Sequence, residues 1–403
     1  MAKHVSNIAT VRTSGRVGRN SNVELLRIIA MFCIVLNHFP WPWQQLYSET
    51  AFVSHLFIRI ITPTASLLGG LGDCLFFFIS VWYLCEEKPD LKKSLRRAWI
   101  LERELLFWSF TMFGVTLVVL RMHLISLPKK DFLLFTMESV FPTITNHWWY
   151  PTSYILFLAM LPFLLVGLRK LGRLWHLRLV IVLLILFAIV PFQITRNIFR
   201  SYNMTYCVWL FVYQFSIISY FKWYQAELLR SHRFARRCLW SGIALGFIPQ
   251  ILYIAVAVLL HSDSSGWYLW LNCPACLPSM LIALGAITLM EQRVARHSKI
   301  LNKMASGVFA VYLITTTRPT NDLIERFFAG IPQQGWLLLG ICILFAIVLY
   351  IGLICIDFIR QALFSITVDW HKGRWFELLW DKYARMIQHY RTKRLSLHAS
   401  QEA

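Results

Sequence analysis

The chain has 403 residues, of which 57% are hydrophobic and 15% are charged. Soluble domains carry roughly 25% charged residues, so this composition excludes an ordinary soluble enzyme and predicts an integral membrane protein. The net charge of +20 would favour a nucleic-acid partner in a soluble chain. Here the basic residues lie between apolar runs, so membrane topology accounts for them and no nucleic-acid partner is expected.

Apolar runs recur along the whole chain. A bilayer core needs roughly 20 mostly apolar residues per helix, and ten runs meet or approach this length: 24–40, 65–85, 104–122, 151–168, 179–195, 203–221, 238–260, 268–290, 305–317 with its continuation, and 335–356. We therefore predict an all-α, polytopic membrane bundle of about ten transmembrane helices. Residues 1–21 form an N-terminal tail, 22–360 one transmembrane domain, and 361–403 a basic C-terminal tail with an amphipathic helix that contacts membrane lipids.

Lysine and arginine are distributed unevenly among the loops. With the N-terminus inside, 31 of the 40 basic residues lie in cytoplasmic segments and eight in outer segments, with Arg27 inside the first span. Because basic residues accumulate on the cytoplasmic side of a membrane, we predict a multi-pass protein of the cell membrane with both termini in the cytoplasm.

The first span, NVELLRIIAMFCIVLNHF at residues 22–39, contains Glu24, Arg27 and His38. Charged and titratable groups are costly in a bilayer and usually face a cavity or a partner. Eleven helical residues turn through ~1100°, so Arg27 and His38 share one face, ~16 Å apart along the axis, and Glu24 is within reach of Arg27. A buried arginine needs an anion, and an imidazole suits proton transfer at neutral pH. The three residues predict a slot that leads an anionic group from the cytoplasm toward His38, although a hydrogen bond between helices is the alternative for a single histidine.

Four segments together resemble one known family. The pattern E-L-L-R, then apolar residues and a histidine, with ten residues between arginine and histidine, is similar to the first-helix signature of the membrane acyltransferase 3 family. FFFIS, HWWYPTSYILFLAMLPFL and SGVFAVYLITTT resemble later segments, so the resemblance runs from residue 22 to residue 360. The chain departs from the family pattern at Val81, Ala310 and Thr315, and the last departure removes a late histidine.

The resemblance implies an O-acyltransferase of the cell envelope. Such an enzyme moves an acyl group, expected to be acetyl, from cytoplasmic acyl-CoA to a hydroxyl of a cell-surface or exopolysaccharide glycan precursor. Catalysis then rests on His38, Arg27 and Glu24, with His38 as general base or as a transient acyl-histidine. Acyl-CoA is a co-substrate, and no bound cofactor or metal is expected.

Two other classes of function remain open on the same residues. A transporter or flippase of a lipid-linked glycan or a small anion would use Glu24, Arg27 and His38 as part of a permeation path. Another glycan-modifying membrane enzyme, such as a polymerase, is the second rival. Release of free thiol from acetyl-CoA in the presence of acceptor separates an acyltransferase from a transporter.

The donor site is expected among arginines that follow the second span. The family carries donor-site arginines in this region, which here contains Arg96, Arg97 and Arg103. Arg103 opens the third apolar run and is the preferred contact for a donor phosphate, because guanidinium binds phosphate as a fork. Arg97 is the second candidate, and topology alone would also explain Arg96 and Arg97.

Five further residues are candidates for the acceptor site or its cavity: Asp73, Ser80, Trp149, Tyr154 and Tyr312. Asp73 and Ser80 are seven residues apart and lie ~20° from a shared helical face, so both could face the cavity of His38. Simple solvation is the alternative for Asp73, and an aromatic belt at the membrane boundary is the alternative for Trp149.

One cysteine pair stands out in the stretch NCPACLP. Cys273 and Cys276 are spaced as a disulfide or a metal site requires, but no second pair or histidine cluster accompanies them. Burial as small apolar side chains is the alternative.

Overall fold

The computed structural model describes residues 19–38, 56–189, 206–260, 273–331, 335–369 and 373–399. Regular structure in these segments is helical, and none of them contains a strand. In chain order the helices are α1 Ser21–Asn37, α2 Leu56–Leu84, α3 Leu91–Arg121, α4 Lys129–Val140, α5 Trp149–Leu184, α6 Val208–Tyr224, α7 Ala226–Arg230, α8 His232–Leu259, α9 Leu277–Glu291, α10 Lys299–Thr315, α11 Arg318–Ala329, α12 Gly335–Ile366 and α13 Arg374–Ala399. The predicted N-terminal tail lies largely outside the described residues.

A π-helical segment, Ile185–Ile189, continues α5. Three helical stretches of the described part are long and apolar enough to cross a membrane: Leu91–Arg121, Trp149–Ala188, which includes most of this π-helical segment, and Trp336–Ile366. Two shorter apolar helices are Leu68–Leu84 and Leu277–Glu291. The all-helical membrane architecture predicted from the sequence is thereby confirmed. The count of about ten spans and the cytoplasmic position of the termini stay predictions.

The predicted spans 151–168 and 179–195 are joined through α5, which breaks at one residue. Gly172 has φ 69° and ψ 174°, which are not helical values. A positive φ is open to glycine because it has no Cβ. The chain therefore changes direction between the two apolar runs without leaving a long loop.

Side-chain caps explain where several helices begin. The side chain of Asn20 accepts a hydrogen bond from the Asn22 N–H at 3.1 Å at the start of α1. Asp90 accepts from the Lys93 N–H at 2.9 Å at the start of α3, and Ser298 caps α10 in the same way. Such caps satisfy backbone donors that have no partner inside the helix.

The first helix, α1, is surrounded by other helices and has its most extensive contact with α2. It also contacts α9, α10 and α12. A Cβ added at Gly72 would lie 2.5 Å from the carbonyl oxygen of Ala30, so only glycine permits this approach of α2 to α1. On the side of α1 that α2 and α10 flank, Arg27 faces a space lined by residues of both helices.

Contacts between loops define two ends of the bundle. At one end, which we call the basic end, hydrogen bonds and ion pairs join the basic loops: Arg169 to Cys85 O and Glu87 O, Lys222 to Glu86, Gln292 to Leu229 O, and Ser21 N to Arg296 O. At the opposite end, Arg318 pairs with Asp131 at 2.8 Å and Arg326 donates to Leu124 O at 2.7 Å. The loops that the sequence assigns to one side of the membrane thus meet in space.

Candidate active site

The acid and the arginine of the first helix form an ion pair. Arg27 Nη1 donates to Glu24 Oε2 at 2.9 Å and to Oε1 at 3.2 Å. Glu24 is only 5% exposed, and the guanidinium of Arg27 lies 6.0 Å from the ring centre of Phe76. Both hydrogen bonds come from one nitrogen of the Arg27 guanidinium, which has five N–H donors. Glu24 therefore orients the guanidinium, and the N–H donors on its other side face a cavity.

Arg27 lines a cavity of about 380 Å³ between α1, α2, α3, α5 and α10, called here the Arg27 cavity. Two other predicted residues also line it, Ser80 and Tyr154, and these two lie close enough to interact. The remaining lining residues are Arg19, Phe76, Leu101, Glu104, Tyr150, Pro151, Ala305, Ser306, Val308 and Phe309. The structure thus brings together a cation, a hydroxyl and a phenol from three helices.

A second cavity of about 540 Å³ adjoins the first and shares Arg19, Glu104 and Ser306 with it. We call it the basic cavity, because its lining contains four cations and two carboxylates: Arg19, Arg103, Lys303, Arg360, Glu104 and Asp369. Asp369, Glu104 and the buried Asp357 pair with Arg103 and Arg360, so a small excess of positive charge remains in this concave space and favours an anionic ligand.

The two donor-site candidates occupy different positions. Arg103 lines the basic cavity, where it donates to Asp369 at 2.8 Å and to Val368 O at 3.3 Å. Arg97 lines neither cavity and instead holds Glu87 with two hydrogen bonds of 2.9 and 2.5 Å. The geometry therefore separates Arg103, which lines the basic cavity, from Arg97, which ties the start of α3 to the preceding loop.

The basic cavity contains a buried ion cluster that the sequence reasoning missed. Arg360 binds Asp357 at 2.5 and 3.0 Å and Glu104 at 3.1 Å, and Asp357 is 0% exposed. A signal was present in the motif I-D-F-I-R at the end of the last apolar run. It repeats the spacing of acid and arginine seen in E-L-L-R of the first run.

His38 contacts the hydroxyl of Thr315. Its Nδ1 lies 2.8 Å from Thr315 Oγ1, and the same hydroxyl lies 2.8 Å from Val311 O. When the hydroxyl donates its one hydrogen to Val311 O, its oxygen accepts a hydrogen bond from Nδ1–H. In that neutral tautomer the lone pair is on Nε2, and the imidazole can take up a proton at that atom.

One stripe of α10 links His38 to the Arg27 cavity. Phe309, Tyr312 and Thr315 follow one another at intervals of three residues, so each is a neighbour of the next on the helix surface, and the row turns through ~120° from Phe309 to Thr315. Phe309 lines the cavity, the Tyr312 ring lies 5.6 Å from that of His38, and Thr315 holds the imidazole. Arg27 and His38 thus lie along the same neighbouring helix.

Two tyrosines separate His38 from the Arg27 cavity. Tyr150 lines the cavity and contacts Tyr312, with ring centres 6.1 Å apart, whereas His38 is not among the lining residues. The two rings therefore stand between the cavity and the imidazole.

Asp73 and Trp149 lie away from the Arg27 cavity. Asp73 is 9% exposed, interacts electrostatically with Tyr150 and Tyr312, and has one carboxylate oxygen without a hydrogen-bond partner in the described part of the chain. It does not share a cavity lining with Ser80 as the helical spacing suggested. Trp149 packs on Tyr206, with ring centres 4.9 Å apart, in an aromatic cluster.

The arrangement has the parts that group transfer requires. A cationic cavity can bind an anionic donor, a second cavity adjoins it, and a histidine with an available Nε2 lies beyond. In the described segments no group of three or more histidine, cysteine, aspartate or glutamate residues is placed to hold a metal ion.

Comparison with known proteins agrees with this geometry. Residues 20–356 match the family model described as an acyltransferase domain, which represents the acyltransferase 3 family. No curated protein and no solved structure matches the chain. The matched region begins just before α1 and ends within α12, so it contains the Arg27 cavity apart from Arg19, and the pair His38 and Thr315. The part of the basic cavity that α12 and the following residues line, from Phe358 to Asp369, lies beyond the matched region. The chain belongs to the acyltransferase 3 family.

Proposed function

We propose that this membrane acyltransferase moves an acyl group, with acetyl the expected one, from cytoplasmic acyl-CoA to a hydroxyl of a cell-surface or exopolysaccharide glycan precursor. Family membership supports acyl transfer. The observation that supports the mechanism is the contact of His38 with Thr315. In the proposed tautomer Nδ1–H donates to Thr315 and Nε2 is available as a base.

The basic cavity is the proposed binding site for the donor. Acyl-CoA carries several phosphates, and arginine binds phosphate through a planar fork of donors. Arg103 presents its guanidinium to this cavity from α3, and Lys303 and Arg360 add positive charge from α10 and α12. The adjoining Arg27 cavity then accepts the neutral arm that carries the thioester, with Arg27 as a hydrogen-bond donor that Glu24 orients. From this cavity the acyl end passes Tyr150 and Tyr312 to reach His38.

The proposed chemical step takes place at His38. As Nε2 removes the proton from the acceptor hydroxyl, the hydroxyl oxygen attacks the thioester carbonyl, the new C–O bond forms and the C–S bond breaks. The proton then passes from the imidazolium to the departing CoA thiolate. Thr315 acts as a positioning residue that keeps the ring in the required tautomer. Transfer through an acyl-histidine would use the same nitrogen as nucleophile.

The proposed orientation places the basic end in the cytoplasm, because basic loops stay on that side. Both termini and the donor cavity then face the acyl-CoA pool, and His38 lies toward the outer end. Labelling of intact cells with an impermeant maleimide tests this. A cysteine at exposed Ser126 should react and one at exposed Lys88 should not; the reverse pattern would invert the proposed direction of donor entry.

The function itself is tested with purified protein in detergent, acetyl-CoA and a glycan acceptor. We expect acceptor-dependent release of free thiol, loss of that activity in His38→Gln, and reduced activity in Arg27→Lys, which keeps the charge but loses the planar fork. His232→Gln, at an exposed histidine, is the matched control. Two results together would indicate a transporter or flippase: the purified wild-type protein releases no thiol, and a host that lacks the gene loses surface glycan. If both His38→Gln and Arg27→Lys keep wild-type transfer, the catalytic assignment is wrong.

A further inference from the structure

A turn with two cysteines precedes α9. The backbone N–H of Cys276 donates to the carbonyl oxygen of Cys273 at 3.2 Å, which closes a turn over the four residues from 273 to 276. The end residues of such a turn have Cα atoms less than about 7 Å apart. A disulfide needs a Cα separation of roughly 4.4–6.8 Å, so the backbone already holds the two cysteines at bonding range.

The two sulfur atoms differ in their surroundings. The thiol of Cys276 and the backbone N–H groups of Ala275 and Cys276 make hydrogen bonds to the sulfur of Cys273. Such donors stabilise a thiolate. Cys273 is half-buried, whereas Cys276 is 0% exposed. Cys273 thus has the features of an attacking thiol, and Cys276 those of a thiol that resolves a mixed disulfide.

Neighbouring side chains hold the turn in place from α6. Tyr213 donates from its hydroxyl to Ala275 O at 3.1 Å, and Gln214 Nε2 donates to Pro274 O at 2.8 Å. Both bonds go to the backbone, so they do not depend on the state of the sulfur atoms. The turn can therefore close a disulfide without rearrangement of the helices around it.

A third thiol lies nearby but is already engaged. Cys74 of α2 interacts electrostatically with Cys273 and Cys276, yet its own S–H donates to Met280 Sδ at 3.7 Å, and its side chain is 0% exposed. This burial keeps external reagents from Cys74. Cys276 is as buried as Cys74, but the turn holds it beside the half-buried Cys273, so external reagents enter the pair through Cys273.

We propose that Cys273 and Cys276 form a redox-active dithiol that closes to a disulfide by exchange with a disulfide oxidant, either a thiol-disulfide oxidoreductase or glutathione disulfide. The Cys273 thiolate attacks one oxidant sulfur and breaks its S–S bond, and Cys276 then displaces the second oxidant thiol. The two cysteines together lose two electrons and two protons, and the oxidant disulfide gains both as two thiols. In the proposed orientation this turn lies at the outer end, where oxidising conditions preserve disulfides. The proposal does not rest on acyl transfer.

The test uses the reduced full-length protein in detergent, oxidised glutathione as the oxidant, an acid quench, alkylation and mass spectrometry. We expect the peptide with residues 273–276 to become lighter by two hydrogen atoms and to resist alkylation. Cys276→Ser should trap glutathione on Cys273, whereas in Cys273→Ser the buried Cys276 should react at least about tenfold more slowly. Cys74→Ala should leave disulfide formation unchanged.

Some results would overturn the proposal. Both cysteines of the turn could remain alkylatable after oxidation, glutathione could add to each of them separately, or Cys74→Ala could abolish the bond because Cys74 is its true partner. Cys33, half-buried on α1, is the internal control for non-specific oxidation. This experiment counts thiols and does not depend on transfer activity. A negative result therefore does not affect the proposed acyltransferase function, and absence of acyl transfer does not affect the proposed dithiol.

Discussion

Replacement of Thr315 by valine tests whether the tautomer of His38 matters for transfer. Valine has nearly the shape of threonine but cannot accept the hydrogen bond that Nδ1–H makes to Thr315 Oγ1 at 2.8 Å. A buried donor without a partner costs about 1–3 kcal/mol. That cost falls on the tautomer whose Nε2 acts as base, so the active form becomes less populated.

The magnitude follows from the relation between free energy and rate. If the whole cost appears in the barrier, 1–3 kcal/mol lowers kcat by about 5- to 150-fold. Removal of the base itself in His38→Gln should lower the rate more, by about 10²–10⁴-fold. Thr315→Ser keeps the hydroxyl and should stay close to wild type.

The assay is acceptor-dependent thiol release, measured as kcat and KM at matched amounts of folded protein. We expect Thr315→Val to lower kcat with little change in the KM for acyl-CoA, because Thr315 lies outside both cavities. Wild-type kcat in Thr315→Val beside an inactive His38→Gln would refute the positioning role. Equal losses in Thr315→Val and Thr315→Ser would mean that packing, not the hydroxyl, is responsible.

Three further predictions concern the charged groups at the basic end. Arg103→Ala should raise the KM for acyl-CoA about tenfold or more, as expected when a charged hydrogen bond is lost, whereas Arg97→Ala should change it little; equal effects would point to general surface charge. Arg360→Leu should destabilise the fold by about 3–5 kcal/mol, because it leaves the buried carboxylate of Asp357 without its cationic partner. Thermal unfolding in detergent should show that the double variant with Asp357→Asn recovers stability. No recovery would contradict this cause. Burial favours the neutral form of Glu87, but hydrogen bonds from Arg97 and a lysine outweigh it and hold the pKa of this carboxyl below its usual value. The ionised carboxylate of Glu87 therefore stabilises the fold at pH values above its ordinary pKa, and this stabilisation is lost as the pH falls through its lowered pKa. The difference in unfolding temperature between wild type and Glu87→Gln should shrink in acid. A difference that persists in acid would show that the charge of Glu87 is not its source.

Local spacing was enough to predict the ion pair of the first helix. Residues three apart on a helix are neighbours whatever surrounds them, and Glu24 binds Arg27 in the structure. The same rule applied to the last apolar run would have found Asp357 and Arg360. Interactions within one helix depend only on its own geometry.

Helical spacing was not enough to assign residues to a cavity. Asp73 and Ser80 lie on nearly the same face of α2, but seven residues span ~10 Å along the axis. Ser80 therefore reaches the Arg27 cavity, while Asp73 lies beside Tyr150 and Tyr312 at another level. Direction around a helix is encoded locally, but the neighbours at each level are not.

The sequence by itself determined the membrane class, the helical architecture and the family, because these follow from apolar length, composition and short linear motifs. Only the tertiary structure decided which groups meet. His38 and Thr315 are 277 residues apart, and the basic cavity joins residues from α3, α10 and α12. The physical reason is that, in a membrane, the apolar surface of one helix packs about equally well on the apolar surfaces of many other helices. The pairing of helices, and with it the tautomer of His38, depends on close packing such as that at Gly72, which no single segment specifies.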